Sequence, residues 1–328
     1  MKDIKNLLIY FPNWLGDIVM SIPALTLIRE YYKDIKITAL IKTSMVGFLK
    51  STNLVDDIIE INNYKFFKKY NFDTVILLPN SFESALKVSF NGIKRRIGYR
   101  ADYRSFLLTD VIEREEVRWW HTSDYYINLL KAIDIYSQRP SIKLEIKKEF
   151  LEEARKYLNS INPENKKIFA FGIGATNSYG KIYKEEYFAE VMNHLSKKYD
   201  ALILFITTKS EIEISKKIES HLENKAFIPY FSLDIITAIL SLCDGFIGND
   251  SGAMHIASIV GIPTLALYFA TPYYQNSPIG LNSHYIFKKV ENDACICGGR
   301  KCELKTFECR EVIKPEEVIC KFEEIIDI

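Results

Sequence analysis

Short runs of apolar, often β-branched residues alternate along the chain with segments in which apolar residues recur every three or four positions. In the N-terminal part, the runs that read as strands are NLLIYF (6–11), IKITALI (35–41), VDDIIEI (55–61) and FDTVILLP (72–79). They are short and apolar on both faces, as in strands buried in a parallel sheet, and the spacing after the first run predicts a helix over residues 17–32. Strand–helix alternation of this kind indicates right-handed βαβ units.

The pattern restarts in the C-terminal half, where the strand runs are KKIFAFGIG (166–174), ALILFITT (201–208), DGFIGND (244–250) and PTLALYF (263–269). A highly charged helix separates the two blocks, and its Asn-Pro and lysine-rich end near residues 160–166 is typical of a hinge. We therefore predict an α/β protein with two doubly wound, Rossmann-like domains, residues 1–160 and 161–328, that face each other across a cleft. Ligands of such sheets bind at the carboxyl ends of the strands, so the loops that follow strands are the places to search for chemistry.

The composition is that of an ordinary globular protein, with 328 residues, 48% hydrophobic and 26% charged residues, and a formal net charge of +1. This balance argues against a dedicated nucleic-acid binder, which usually carries a strong basic excess. No apolar run approaches the ~20 residues of a membrane span, and the first residues lack the layout of a signal peptide. We therefore expect a cytoplasmic protein.

The first strand run leads directly into the loop sequence FPNWLGDIV. Asp17 stands where the next helix is expected to begin, so it is either an N-cap residue or a carboxylate that takes a proton from an incoming hydroxyl. Gly16 permits a tight turn, and Trp14 is either a core residue or an aromatic platform for a sugar. The loop is not the GxGxxG of a dinucleotide fold, and on its own it leaves both interpretations open.

The sequence IGNDSGAMHIASIVG carries a more specific pattern. Asp250, Ser251 and Gly252 lie between a strand and a helix, where unpaired backbone N–H groups and the positive end of the helix dipole favour a phosphate. His255 follows one turn later on the same side of the helix as Ser251. The alternative is an Asp/Ser cap with a core histidine, but the combination favours a site for a diphosphate and sugar hydroxyls.

A third loop, GATNSYGK, joins the strand run at 166–174 to a helix. A glycine-bearing loop with a lysine, Lys181, beside a helix start outlines a phosphate cradle, whereas the alternative is a solvated lysine. The loop is not a P-loop, because Ile182 stands where GxxxxGK[ST] requires Ser or Thr.

Together these motifs resemble glycosyltransferase family nine, the ADP-heptose:lipopolysaccharide heptosyltransferases, and most of all its heptosyltransferase II members. The resemblance rests on FPNWLGDIVMSIPAL, RRIGYRADYRSFLLTD, HTSDYYINLL, GATNSYGK and GNDSGAMHIASIVGIPTLALY, which occur in family order over nearly the whole chain. It implies a GT-B fold with the acceptor on the N-terminal domain, the nucleotide sugar on the C-terminal domain, and a last helix that packs back on the first. It also implies an inverting transfer without an obligatory cofactor or metal, by a protein that we expect to be a monomer.

By their positions in these motifs, residues of this chain acquire expected roles. The resemblance implies that Asp17 is the general base, that Thr176 and Lys181 bind the diphosphate, and that Glu211 binds the ribose of the nucleotide. The donor sugar and its phosphates are assigned to Asp250, Ser251, Gly252 and His255. The chain departs from the family after Lys181, where residues 182–184 read Ile-Tyr-Lys instead of the usual Arg-Trp-Pro.

Four arginines fall between residues 95 and 104, and one interpretation is a solvated surface run. The resemblance favours the other, which is capture of an anionic lipopolysaccharide acceptor, because arginine binds carboxylates and phosphates through two parallel hydrogen bonds. The acceptor-binding residues that it implies are Trp14, Arg96, Arg100 and His121.

Four cysteines crowd the sequence CICGGRKCELKTFEC, namely Cys295, Cys297, Cys302 and Cys309. Their spacing is not the paired CxxC of a zinc ribbon. Many heptosyltransferase II relatives carry a similar group, C-x₂-C-x₄-C-x₆-C, whose first gap is one residue longer than here. A structural zinc or other metal, a disulfide and free thiols are the three alternatives.

These observations predict an enzyme that transfers heptose from ADP-L-glycero-D-manno-heptose to the lipopolysaccharide inner core (heptosyl-Kdo-lipid A), with peripheral contact to the cytoplasmic face of the inner membrane because the acceptor is a lipid. One alternative is a family member that uses another nucleotide sugar. Another is a non-catalytic nucleotide-sugar- or metal-binding protein on the same fold. A nicotinamide-dependent oxidoreductase would carry a glycine fingerprint and a ribose-binding acid about 20 residues later, and the sequence shows neither.

Overall fold

The computed structural model describes residues 4–62, 70–175, 178–290 and 306–327. It divides the chain into two compact units, Met1–Ser141 and Ile142–Ile328. Each unit is built on its own parallel sheet, as the alternation of strand and helix patterns predicts. Among the described residues, no helix combines the length and the apolar character needed to cross a bilayer.

The sheet of the first unit has six parallel strands within the described ranges. These are β1 (Asn6–Tyr10), β2 (Lys36–Ile41), β3 (Asp57–Glu60), β4 (Thr74–Leu77), β5 (Arg95–Tyr99) and β6 (Asp110–Ile112). They lie in the order β3-β2-β1-β4-β5-β6. The helices of this unit are α1 (Leu15–Met20), α2 (Ile22–Tyr31), α3 (Val46–Lys50), α4 (Phe82–Ser89) and α5 (Thr122–Asn128).

Two helices, α1 and α2, replace the single helix predicted over residues 17–32. They meet at Ser21, whose hydroxyl donates a hydrogen bond of 2.7 Å to the carbonyl oxygen of Ile18. Pro23 lies in the first turn of α2, where its missing N–H leaves no helical hydrogen bond unmade, but where it could not continue α1. The loop after β1 therefore enters a short, separate helix that carries Asp17 in its first turn.

The second unit begins with α6 (Lys148–Ile161). The five parallel strands of its described part are β7 (Ile168–Gly172), β8 (Leu202–Phe205), β9 (Gly245–Asn249), β10 (Thr264–Tyr268) and β11 (Ser283–Phe287). They lie in the order β11-β10-β9-β7-β8. The other helices are α7 (Glu185–Tyr199), α8 (Ile212–Glu219), α9 (Leu233–Leu240), α10 (Gly252–Val260), α11 (Tyr273–Asn276) and α12 (Pro315–Ile326).

One helix belongs to a different unit from the one that the sequence predicts. α6 packs against α9 and so belongs to the second unit, and the division between the units therefore falls after Ser141 instead of after residue 160. The last helix, α12, packs against α7 and β10 of the second unit, and its Phe322 also meets Phe169 of β7 edge to face. Its apolar face is thus buried in its own unit, and the packing of this helix on the first domain that the resemblance implies stays a prediction.

Each sheet has one place where the strand order reverses. In the first unit β1 lies between β2 and β4, and in the second unit β7 lies between β8 and β9. At such a reversal the connections leave on opposite faces, which opens a crevice at the carboxyl ends of the two central strands. The loops after β1, β7 and β9, which carry Asp17, Lys181 and Asp250, lie at these two places.

Candidate active site

The centre of the site in the second unit is the carboxylate of Asp250, at the end of β9. Only 8% of this side chain is exposed, and its Oδ2 accepts hydrogen bonds from Nζ of Lys181 (2.8 Å) and from Oγ1 of Thr271 (2.9 Å). Nε2 of the buried His255 lies 3.9 Å from Oδ1. The fold therefore brings together the loop that carries Asp250 and the loop that carries Lys181. It adds Thr271 after β10, which the sequence motifs did not identify.

A buried amide, Asn249, fixes the two loops to each other. Its Oδ1 accepts a hydrogen bond from the backbone N–H of Tyr183 (2.9 Å), and its Nδ2 donates to the carbonyl oxygen of Ile173 (3.1 Å). Both ends of the side chain are thus used to hold the segment that carries Lys181 against the end of β9. The sequence signal for Asn249 was its position directly before Asp250, but its partners come from distant segments and are not visible in the motif.

Ser251 and Gly252 form the start of α10, as predicted. Ser251 is the N-cap residue, and its hydroxyl accepts a long hydrogen bond of 3.5 Å from the N–H of Met254. Gly252 is the first helical residue, so the first-turn N–H groups point toward the Asp250 end of β9. The positive end of this nine-residue helix and the ammonium group of Lys181 make this edge of the sheet suitable for a diphosphate.

The carboxylate of Glu211 is buried beside the end of β7. Its Oε2 accepts hydrogen bonds from the backbone N–H of Thr208 (2.8 Å) and from the hydroxyls of Thr207 and Thr208 (3.1 and 2.9 Å). A Cβ atom placed on Gly174 would lie 1.9 Å from Oε1, so the carboxylate packs directly on that glycine. Glu211 therefore closes its own turn with one oxygen, and its assignment to the ribose stays a prediction. Thr176, the other expected diphosphate ligand, lies outside the described residues.

In the first unit, Asp17 lies in the first turn of α1 and is partly exposed. The helix begins at Leu15 with Trp14 in the N-cap position, so Asp17 is not the N-cap residue of one of the two interpretations of this loop. The Trp14 side chain is 51% exposed and does not belong to the core. Burial raises the pKa of Tyr126 on α5, and the negative charge of Asp17 raises it further, which places the two side chains near each other.

The predicted acceptor arginines differ in what they contact. Arg96 donates from Nε to the carbonyl oxygen of Leu107 (2.6 Å) and from Nη1 to that of Ile93 (2.5 Å), so its guanidinium stabilises the backbone. Arg100 forms an exposed ion pair of 2.9 Å with Glu113. Of the two, Arg100 is the one whose charged group is directed toward solvent.

His121 is the N-cap residue of α5, and its Nδ1 accepts a hydrogen bond from the N–H of Ser123 (3.2 Å). The same nitrogen lies 3.2 Å from Nη1 of Arg139, which always carries its protons, so the neutral ring holds its proton on Nε2. Arg139 also pairs with Asp124 at 3.1 Å. Arg139 and Asp124 line a cavity of about 600 Å³, which the sequence analysis did not identify, together with Trp120 and other residues of the segment 127–138.

Of the four clustered cysteines, three lie outside the described residues. Cys309 is buried, and its thiol donates to the carbonyl oxygen of Gly180 over 3.8 Å. Within the ranges that the structure describes, no group of three His, Cys, Asp or Glu side chains is placed to hold a metal ion.

The chain is similar to heptosyltransferases both in its match to a family model and in its match to individual proteins. The model of glycosyltransferase family 9 (heptosyltransferase) matches residues 64–307. The chain is 27% identical to lipooligosaccharide heptosyltransferase 2 of Campylobacter jejuni serotype O:2, over 96% of each protein, and 26% identical to lipopolysaccharide heptosyltransferase 2 of Escherichia coli K12, over 80% of this chain and 82% of that one.

Two solved structures share its fold. The structure of E. coli ADP-heptose lps heptosyltransferase II superposes with a TM-score of 0.82, at 20% identity and over 98% of each chain. A family 9 glycosyl transferase from Veillonella parvula gives 0.84, at 21% identity and over 99% of this chain and 97% of that chain. These matches confirm the α/β fold of the GT-B class, and the family model shows that the chain belongs to glycosyltransferase family 9, the heptosyltransferases.

Proposed function

We propose that this glycosyltransferase moves heptose from ADP-L-glycero-D-manno-heptose to the heptosyl-Kdo-lipid A acceptor of the lipopolysaccharide inner core, with inversion at the anomeric carbon. The observation that carries the proposal is the joining of Lys181, Asp250 and the start of α10 at the strand-order reversal of the second unit. The names of the relatives, which are lipopolysaccharide and lipooligosaccharide heptosyltransferases, support the same substrate class.

The donor half of the reaction belongs to the second unit. Lys181 and the first-turn N–H groups of α10 stabilise the diphosphate as the bond between the anomeric carbon and its oxygen breaks and negative charge grows on the leaving ADP. Asp250 keeps Lys181 in place and offers its carboxylate to donor-sugar hydroxyls. No obligatory cofactor enters this scheme, since a lysine and a helix end supply the positive charge.

The acceptor half belongs to the first unit. Asp17 takes the proton from the acceptor hydroxyl as that oxygen forms its bond to the anomeric carbon, opposite the leaving diphosphate. Trp14, exposed in the same loop, offers an aromatic face to a sugar. The cavity that Arg139 and Trp120 line combines a cation with an aromatic ring, which suits the charged sugars of an inner core. His121 contacts Arg139, whose guanidinium lines that cavity.

A lipid-linked acceptor also requires that the enzyme meet a membrane surface, and we place it as a monomer at the cytoplasmic face of the inner membrane. The loop after β5 displays Tyr103 and Phe106, which are 95% and 75% exposed. Arg104, which lies between them, is fully buried and donates to the backbone carbonyls of Tyr99 and Pro79. Because all strands of the sheet are parallel, this loop lies at the same edge as Asp17, and interfacial aromatic residues favour the head-group region of a bilayer.

The test is a transfer assay with ADP-, UDP- and GDP-linked sugars and a purified inner-core acceptor. We expect turnover with ADP-heptose, and Asp17→Asn should reduce it by roughly 10²–10⁴ while donor affinity stays nearly unchanged. Asp34→Asn is the matched control, because Asp34 is exposed in the turn before β2, at the other edge of the sheet. Binding of UDP-sugars in place of ADP-heptose would support a different donor, and normal turnover by Asp17→Asn would exclude Asp17 as the base.

A further inference from the structure

A segment from the C-terminal end of the second unit lies against the turn that carries Lys181. Arg310, of which 8% is exposed, donates from Nε to the carbonyl oxygen of Ile182 (2.7 Å). It also donates from Nη1 to the hydroxyl of Tyr179 and pairs through Nη2 with the carboxylate of Glu185. The guanidinium lies 4.1 Å from the centre of the Tyr179 ring. The Arg310 side chain therefore contacts Tyr179, which precedes Lys181, Ile182, which follows it, and Glu185 at the start of α7.

Other contacts join the same two segments. The backbone N–H of Lys184 donates to the carbonyl oxygen of Arg310 (3.3 Å), and the thiol of Cys309 meets the carbonyl oxygen of Gly180. Lys184 and Glu311 form an ion pair of 3.0 Å at the surface. Arg310 and its partner Glu185 are the members of this interface that are both charged and buried.

These contacts bear on how the ammonium group of Lys181 is held for diphosphate binding. Lys181 acts on a diphosphate only if its ammonium group stays near Asp250. Its backbone turn is closed by two hydrogen bonds, from the N–H of Lys181 to the carbonyl oxygen of Ser178 and from the N–H of Ile182 to that of Tyr179, both of 3.0 Å. Residues 178–184 read Ser-Tyr-Gly-Lys-Ile-Tyr-Lys, so the turn carries no arginine of its own. An arginine does reach the turn, but it comes from residue 310.

We propose that Arg310 is a positioning residue for the nucleoside diphosphate site, which acts by holding the backbone on both sides of Lys181. This inference rests on the proposed function. A planar guanidinium bonds a backbone carbonyl, a hydroxyl and a carboxylate in fixed directions, which a lysine cannot do. A looser turn would leave Lys181 to sample positions away from the phosphates, and the binding of a diphosphate would then have to order it.

The experiment is a calorimetric titration of the full chain with ADP, for wild type and for Arg310→Lys, Lys181→Met and the double variant. We expect each single change to weaken ADP binding about tenfold, since each removes hydrogen bonds to a charged group or the charge itself. We expect the double variant to be little weaker than Lys181→Met, because Arg310 acts through Lys181. Glu311→Gln, which removes only the surface pair, should bind ADP as wild type does.

A second variant separates positioning from folding. Arg310→Met combined with Glu185→Met replaces a buried ion pair by apolar side chains, which usually preserves stability. It should unfold at a temperature near that of wild type and still bind ADP about tenfold more weakly, because the hydrogen bond to Ile182 is lost.

The outcomes distinguish this inference from the function on which it rests. Wild type that binds ADP, with Arg310→Lys binding equally well, would overturn the inference alone. Full additivity of Arg310→Lys and Lys181→Met would also overturn it, because the two residues would then act independently. Wild type that binds no nucleoside diphosphate would overturn the proposed donor site, and this inference with it.

Discussion

The contact between Gly174 and Glu211 leads to a quantitative prediction. A Cβ atom on Gly174 would lie 1.9 Å from Oε1 and 2.0 Å from Cδ of Glu211, well inside van der Waals contact. The backbone of Gly174 is outside the left-handed region, so alanine is unfavourable there only because of this overlap. Gly174→Ala must push the carboxylate away from the end of β7, and Oε2 then loses hydrogen bonds from Thr207 and Thr208.

The expected magnitude follows from two opposing terms. Overpacking of this kind costs about 1–3 kcal/mol of the free energy of unfolding. Replacement of glycine by alanine at a compatible position stabilises by about 0.4–1 kcal/mol, through the unfolded chain. In the wild-type background Gly174→Ala should therefore destabilise, whereas in a Glu211→Ala background it should be neutral or stabilising. The coupling between the two changes should equal the overpacking cost, about 1–3 kcal/mol, because the glycine-to-alanine term cancels between the two backgrounds.

The assay is urea unfolding of wild type, the two single variants and the double variant. The three tryptophans, Trp14, Trp119 and Trp120, all belong to the first unit, so tryptophan fluorescence reports the unfolding of that unit. Far-ultraviolet circular dichroism follows both units and should show the shift. If Gly174→Ala lowers the free energy of unfolding as much in the Glu211→Ala background as in wild type, overlap with Glu211 does not cause the destabilisation, and the reasoning is refuted.

Two further predictions concern the first unit. Burial raises the pKa of Asp56, but hydrogen bonds from the Ile37 amide and from Arg29 outweigh it, so the pKa lies below the ordinary 3.8. The stability that the ionised carboxylate contributes is therefore lost as pH falls from that value through the folded-state pKa. Asp56→Asn should flatten the acid limb of a curve of unfolding free energy against pH. Phe106→Ser should reduce cosedimentation with phospholipid vesicles several-fold. Phe90→Ser is the control, because it changes an equally exposed ring at the far end of α4, and it should not reduce cosedimentation. Equal loss in both variants would refute membrane contact through the loop after β5.

The sheets were predictable where strands are buried on both faces, and less so elsewhere. Continuous apolar runs revealed β1 and β7 because burial in a parallel sheet leaves no polar position. The run criterion does not find β5, since Arg95 and Arg96 begin it, and these side chains bond Asp110 and backbone carbonyls at the sheet edge. The break between α1 and α2 depends on a single proline, which also starts helices well.

The site was predictable as separate loops, but its contacts were not. Strand-then-loop order and helix-start chemistry identified Lys181 and Asp250. Their mutual ion pair, and the hydroxyl of Thr271 that joins it, depend on how three loops meet at one sheet edge. Arg310 is more distant still, because nothing in its local sequence indicates a partner near residue 180.

The anchoring of residues 307–326 also affects how gene variants of this protein are interpreted. A stop codon after codon 305 removes few residues, and such late truncations are often treated as mild. Here it would delete α12, which buries Val318 and Phe322 in the core, and Arg310, which contacts the Lys181 turn. We therefore expect nonsense alleles at codons 306–318 to behave as nulls, because each removes Val318 and Phe322, while missense changes at exposed positions of the same helix stay silent.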